Sequence, residues 1–263
     1  MINKPKISLA SYSFHGLLEE GMMDIFNYLN VTKFRYRISM ADIWSGYFPT
    51  TDVDFIKKVR RTLDENEMEV ANLCVDGAHI WEDDAELREK HYQVAMNFIK
   101  AGELLGAKTI RIDAGGRDPE WTEAMFDTIV KRYKEFAHRA GEQGYRIGTE
   151  NHWGTTQIPT NVVKLAKAVD NPAFGILFHV GNVKEYDVEK GNEMLAPYAM
   201  HTHIDATYAD KCGQIMNNLI DLGYEGTFSA EHHSAKNEYD QVEWQLGAIR
   251  KQLALVLDKR KVE

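Results

Sequence analysis

With 263 residues, 44% of them apolar, the chain can bury a substantial core in one large domain or two small ones. A net charge of −9, with lysines and arginines scattered, argues against a nucleic-acid partner, which needs them clustered. No stretch reaches the ~18 apolar residues of a membrane span, Met1 to Lys6 lead straight into a strand-like pattern, and Cys74 and Cys212 form no framework, so a cytoplasmic chain without membrane contact is expected.

In chain order, residues 7–14 alternate and predict strand one, releasing Tyr12, Phe14 and His15 at its end. A helix over 18–30 and strand two over 37–44, ending in Trp44, follow. Thr50 and Thr51 cap a helix over 52–66, with Val53, Ile56, Val59 and Leu63 as its buried stripe. Strand three covers 69–76 and opens into a loop with His79 and Trp81, before a helix over 84–105 that stops at Gly106. Strand four, 108–113, runs into Ala114 and two glycines, and a helix over 119–143 stops at Gly144. The beat continues with strands at 146–150, 173–178, 200–205 and 226–231, separated by helices over 160–169, 187–196 and 208–222. A tail helix over 238–258, carrying Trp244, Ala248, Ile249, Leu253 and Val256, closes the series.

Eight strands alternating with eight helices, with no linker between them, predict a single-domain (β/α)8 TIM barrel over residues 1–263. A doubly wound open sheet would stop sooner and often begins with a Gly-rich phosphate turn, and no GxGxxG follows strand one.

Active sites of such barrels lie at the C-terminal strand ends, so the residues ending each run carry the functional argument. Strand three offers Asp76 and His79, and strand four offers Arg111 and Asp113. Strands five to eight offer Glu150 with His152, His179 with Asn182, His201 with His203 and Asp205, and Glu231 with His232 and His233. Glu150 and Glu231 each follow an apolar run, and a buried carboxylate needs a cationic partner. Arg111 could satisfy one of them, whereas a divalent metal could satisfy two carboxylates and two histidines together.

These endings resemble the xylose isomerase-like barrel superfamily, the sugar isomerases and epimerases that also include endonuclease IV. The resemblance implies one metal held by a Glu after strand five, an Asp after strand six, a His after strand seven and a Glu after strand eight. Glu150, His203 and Glu231 match the first, third and fourth of these, and His179 stands where the family has aspartate. Two carboxylates and two neutral imidazoles balance a divalent ion, and this softer set favours manganese, zinc, cobalt or iron over magnesium.

The resemblance further implies an isomerase or epimerase of a small sugar or keto-sugar, working by proton transfer through a metal-stabilised enediolate. Glu150 and Glu231 are then ligands and acid–base pair, while His152, Asn182, Arg111 and Asp205 orient substrate hydroxyls and Tyr12, Trp44, Trp81 and Trp153 wall the pocket. A lyase or dehydratase on a keto-sugar, keto-inositol or keto-glycoside shares the first step, with His152 or His79 as acid for a leaving group. A non-catalytic sugar-binding barrel is the third reading, and endonuclease activity ranks last. No Gly-rich turn after strands seven or eight supports a phosphate handle. Aromatics near Trp81 and Trp153 could line an interface between copies, which keeps a homo-oligomer open.

Overall fold

Each strand of the computed structural model, which describes residues 6–261, pairs in parallel with the next. The strands are β1 Lys6–Ala10, β2 Met40–Trp44, β3 Glu69–Val75, β4 Thr109–Ile112, β5 Arg146–Glu150, β6 Phe174–His179, β7 Ala199–Ile204 and β8 Thr227–Ala230. β8 returns to β1 through pairs such as Ser8 with Ser229, closing the barrel. Residues 1–5, which carry most of the N-terminal expectation, lie outside the described part.

Nine helices are described: α1 His15–Glu19, α2 Ile25–Asn30, α3 Val53–Glu65, α4 Ala85–Leu105, α5 Glu123–Gln143, α6 Pro159–Val169, α7 Val188–Leu195, α8 Gly213–Asp221 and α9 Glu238–Lys259. Three of their caps follow from sequence, whereas α3 is preceded by Asp52, whose side chain makes no cap bond, and is not capped by Thr50 or Thr51 as expected. Asp84, Thr122 and Asp187 each accept a backbone N–H of the first turn they precede, filling valences that the helix leaves open. The helices bury one face on the strands, with Ile56, Val59 and Leu63 from α3, Ile129, Tyr133 and Phe136 from α5, and Leu246 and Ile249 from α9 fully enclosed. Each such side chain contributes roughly 1.5–3 kcal/mol by leaving water. Two expected core members stay outside: Val53 and Trp244 sit at the ends of their stripes and are about half exposed.

Several boundaries differ from expectation for local reasons. β1 stops at Ala10 because residues Ser11–Phe14 coil into a 3-10 turn, and β2 begins only at Met40, after Arg37 takes a left-handed φ of 56°. The helix expected over 18–30 is two pieces separated at Gly21, and that expected from 208 begins at Gly213.

Two glycines set the position of the fifth strand. Gly144, at φ 78°, ends α5 in the left-handed conformation that side chains avoid, and turns the chain directly into β5. Gly148 pairs with Gly175, and a Cβ at 148 would come within 1.7 Å of the Gly175 carbonyl oxygen, so β5 and β6 pack this closely only with glycine at 148. Glu150 is two residues further, on the same face.

Candidate active site

The C-terminal strand ends enclose a cavity of about 530 Å³ lined by Tyr12, Trp44, Asp76, Arg111, Glu150, His152, His179, Asn182, His203, Asp205, Glu231 and His233, among others. Four side chains, from β5, β6, β7 and just beyond β8, converge at its floor. Glu150 Oε1 lies 3.2 Å from His179 Nδ1 and 3.8 Å from His203 Nδ1, and Glu231 Oε2 lies 3.6 Å and 3.0 Å from the same two nitrogens. Ligands ~2.0–2.1 Å from a tetrahedral zinc-like ion stand about 3.3–3.4 Å apart, so these separations straddle that edge length.

The nitrogen chemistry fits a cation as well. His203 Nε2 is 2.9 Å from Asp42 Oδ2, which draws the ring proton to that side and leaves Nδ1 as a lone pair facing the cluster. His203 Nδ1 is buried and has no hydrogen-bond partner, since Glu231, although close, is out of line. Triads of ligand-capable atoms within 4.8 Å of one another include Glu150 with His179 and His203, and His179 with Glu231 and His233.

Electrostatics point the same way. Burial alone would raise the Glu150 carboxyl, but His152, Arg111 and His179 outweigh it and hold the group well below the usual carboxylate range. Burial is likewise overcome at Glu231, by His203, His233 and His179. In return, burial should lower His179, yet Asp205, Glu150 and Glu231 push it up to about 9, and Glu231 and Asp42 drive His203 well up too. The carboxylates demand positive charge, which two ring protons or one dication can meet.

Of the other expected residues, Arg111 is buried among three carboxylates: its Nη1 donates to Asp76 Oδ1 at 2.7 Å and Asp113 Oδ2 at 3.0 Å, and Nε stands 3.1 Å from Glu150 Oε2 as an ion pair. It lines the cavity as the fixed-charge partner of Glu150. Asn182 lines the cavity wall, but its amide donates to the carbonyls of Asn151 and His152 and accepts from Gln157, which commits it to bracing the loop after β5. His152 Nδ1 lies 3.1 Å from Asp113 Oδ2, and although burial opposes it, Glu150 and Asp113 raise the ring to about 9. Asp205 is held at about 2 against burial, by His179 and Thr207. Tyr12 stacks on His15 at 4.5 Å and meets Trp44 edge-on, and Trp44 Nε1 donates to Asp76.

Three expectations are corrected. Trp153 does not line the cavity; its ring packs edge-on against His79 at 5.0 Å. Trp81 lies outside it too, bridged to Gly115 and covered by Arg88. His79 also stands apart, with Nδ1 bonded to Glu82.

Sequence reasoning missed Asp42, the most connected carboxylate in the barrel. Its Oδ2 accepts from Ser229 Oγ at 2.6 Å and meets His201 Nε2 at 2.7 Å and His203 Nε2 at 2.9 Å; Asn72 donates to Oδ1. Burial is outweighed by both imidazoles, which hold it far below its ordinary value. The signal was present: Asp42 interrupts the apolar run Met40-Ala41 and Ile43, and a carboxylate in such a strand needs partners as much as Glu150 does. His233, whose Nε2 lies 3.0 Å from Glu231 Oε2, was grouped with the strand end but given no role. From below, Gln245 of α9 donates to the Ile204 and Glu231 carbonyls and ties the ends of β7 and β8 together.

Residues 38–252 match the family model described as "Xylose isomerase-like TIM barrel". No curated protein matches the chain significantly in sequence. Among solved structures, a 3-keto-D-glucoside 4-epimerase from E. coli superposes with TM-score 0.75 at 14% identity, over 94% of this chain and 100% of its own. A probable 3-DHS dehydratase from Bacillus anthracis gives 0.71 at 14% identity, over 93% of this chain and 98% of its own. A xylose isomerase-like TIM barrel protein from Mycobacterium smegmatis, in complex with magnesium, gives 0.71 at 18% identity, over 95% and 98%. At these identities the likeness is one of fold. Among the described residues no helix is long and apolar enough to cross a membrane.

Proposed function

The chain belongs to the xylose isomerase-like TIM barrel family, and from that premise we propose that it is a metal-dependent isomerase or epimerase of a small sugar or keto-sugar. The observation that carries the reading is the convergence of Glu150, His179, His203 and Glu231, with an unpartnered imidazole nitrogen turned toward their centre. Two imidazoles and two carboxylates suit manganese, zinc, cobalt or iron better than the magnesium held by the Mycobacterium smegmatis neighbour. When bound, the ion would supply Lewis-acid stabilisation of the charge that develops as a proton alpha to a carbonyl departs.

The chain's own residues do the rest. Arg111 holds one oxygen of Glu150, leaving Oε1 for the cluster. Glu231 spends Oε2 on the cluster and on His233, while Oε1 has no hydrogen-bond partner among the described residues and is the better placed to take a substrate proton. Glu150 and Glu231, three strands apart around the barrel, form the acid–base pair. The five carboxylates on the lining, Asp42, Asp76, Glu150, Asp205 and Glu231, outnumber its cations, Arg111 and His152, and among the described residues no lysine lines it, which disfavours a phosphorylated substrate.

A second reading, a lyase or dehydratase, is favoured by two imidazoles outside the four-residue cluster. His152, held protonated by Asp113 and Glu150, and His233 beside Glu231 both face the cavity, where either could protonate a leaving group. The neighbours named above include both an epimerase and a dehydratase.

The test is incubation of the manganese-, zinc- or cobalt-loaded chain with ketohexoses and 3-keto-glucosides in D2O. Solvent deuterium beside the carbonyl together with an epimer supports the isomerase, and new double-bond absorbance supports the lyase. Neither, with sugar binding retained, leaves a non-catalytic sugar-binding barrel. Failure of the chain to take up any of the metals at a site abolished by His203→Ala overturns the metal reading.

A further inference from the structure

The mouth of the barrel does not use every metal-capable group in the molecule. On the connection from β3 to α4, His79 Nδ1 lies 2.6 Å from Glu82 Oε1. His91 Nδ1, from the second turn of α4, lies 3.5 Å from that same oxygen. The three ligand-capable atoms fall within 4.8 Å of one another. Both imidazoles therefore present the same nitrogen to a single carboxylate oxygen.

A hydrogen-bonded trio would leave that arrangement incomplete. One N–H, from His79, satisfies the oxygen, while His91 Nδ1 is shut off from water and has no hydrogen-bond partner. Glu82 has no lysine or arginine ion pair among the described residues; its ionic partners are these two imidazoles. Arg88 is spent on the face of Trp81 at 4.2 Å, and Arg132 on Glu135 and the Tyr92 ring. The side chains are largely shielded, with exposures of 23% for His79, 20% for Glu82 and 13% for His91. Two imidazoles and one carboxylate are a three-ligand protein donor set that zinc accepts, with water completing four-coordination.

The trio is separate from the mouth. None of its members lines the large cavity; His79 borders a second one, of about 130 Å³, with Arg88, Glu89, Tyr92 and Arg132. It is nonetheless tied to the active-site rim. The Ile80 and Trp81 amides donate to the Asp113 and Ala114 carbonyls, and the His79 ring packs on Trp153, next to His152.

We propose that His79, Glu82 and His91 bind a divalent transition metal of the zinc class, which pins the loop after β3 against the rim. The site is independent of the mouth cluster.

Co(II) titration of the metal-stripped full chain, followed by visible absorbance and metal analysis, tests it. The wild-type chain takes up one equivalent more than His91→Ala, and the extra equivalent survives in His203→Ala, which removes the mouth site alone. Glu82→Gln, in the loop rather than the helix, gives the same loss where His91→Ala fails to fold. If both loop variants match wild type in uptake and spectrum, the proposal is overturned, whatever the mouth does. A chain that loses metal with His91→Ala and not with His203→Ala keeps this site and overturns the other.

Discussion

Two layers of polar side chains fill the barrel near its C-terminal end, and they resolve the cost of burial differently. The deeper layer closes on itself. Asp42 is met by His201, Ser229 and Asn72, Thr109 donates to Asn72, and Thr227 bonds Ser8, with the linking distances between 2.6 and 2.9 Å. In the upper layer, Glu150, His179, His203 and Glu231 stand 3.0–3.8 Å apart, and one ring nitrogen has no partner at all. A satisfied network holds a fold in one arrangement, whereas an unsatisfied one is expensive unless something else completes it. His203 belongs to both layers: Nε2 is anchored below on Asp42, and Nδ1 is offered above.

The comparison is broken most decisively at Glu231. Glu231→Gln keeps the shape of the upper layer and removes the proposed base, so turnover should fall by about 10²–10⁴-fold. Rates measured at saturating metal check this, and an unchanged rate would remove Glu231 from the mechanism. Asp42→Asn acts through His203 from the layer below. It should weaken metal binding at the mouth by about 10–100-fold, as loss of a carboxylate behind a ligand imidazole does. Competition against a chelator of known affinity reads this, and an unaltered affinity would mean that the two layers are not coupled.

The reach of sequence reasoning divides along the same line. The barrel was legible because strand and helix periods alternate without interruption, and β5 was bounded correctly at Arg146–Glu150 by Gly144 before it and the emerging carboxylate after it. Strand endings brought Glu150, His179, His203 and Glu231 into view among other polar residues, and the resemblance to the xylose isomerase-like barrels singled out these four. Asp42 lies within its strand, and its partners sit 30 to 187 residues away, a spacing that no local pattern encodes. Arg111, Asn182 and Trp153 were visible as strand-end residues; their duties, gripping carboxylates, bracing a loop and packing on His79, depend on which neighbour folds back onto them.

His201 sharpens the contrast, since it shares β7 and the Asp42 oxygen with His203 but carries no free valence in the cluster. His201→Ala should cost about 2–3 kcal/mol of stability, the worth of a hydrogen bond to a buried charge. Metal stoichiometry at the mouth should not change. Paired denaturant melts and metal analysis separate the two effects, and loss of metal without loss of stability would reverse the roles given to the two histidines.

The smallest effect belongs to a polar cluster outside the barrel altogether, which shows what complete pairing is worth near solvent. Glu103 of α4 accepts from Arg139 Nε and Nη2, both at 2.7 Å, and from the Tyr145 hydroxyl at 3.1 Å. The hydrogen bond from Arg139 outweighs burial and holds the carboxyl below its usual range. A depressed folded value stabilises only where the group is ionised. The contribution is therefore present above the unfolded pKa of about 4.3 and is lost as pH falls through the lower folded one. Glu103→Gln should cost about 1 kcal/mol or less at pH 7, as a partly exposed, salt-screened pair does, with the gap from wild type closing in acid. Urea midpoints at pH 7 and under acid conditions measure that gap, and a gap that widened on acidification would show that Glu103 is stabilised by its protonated form.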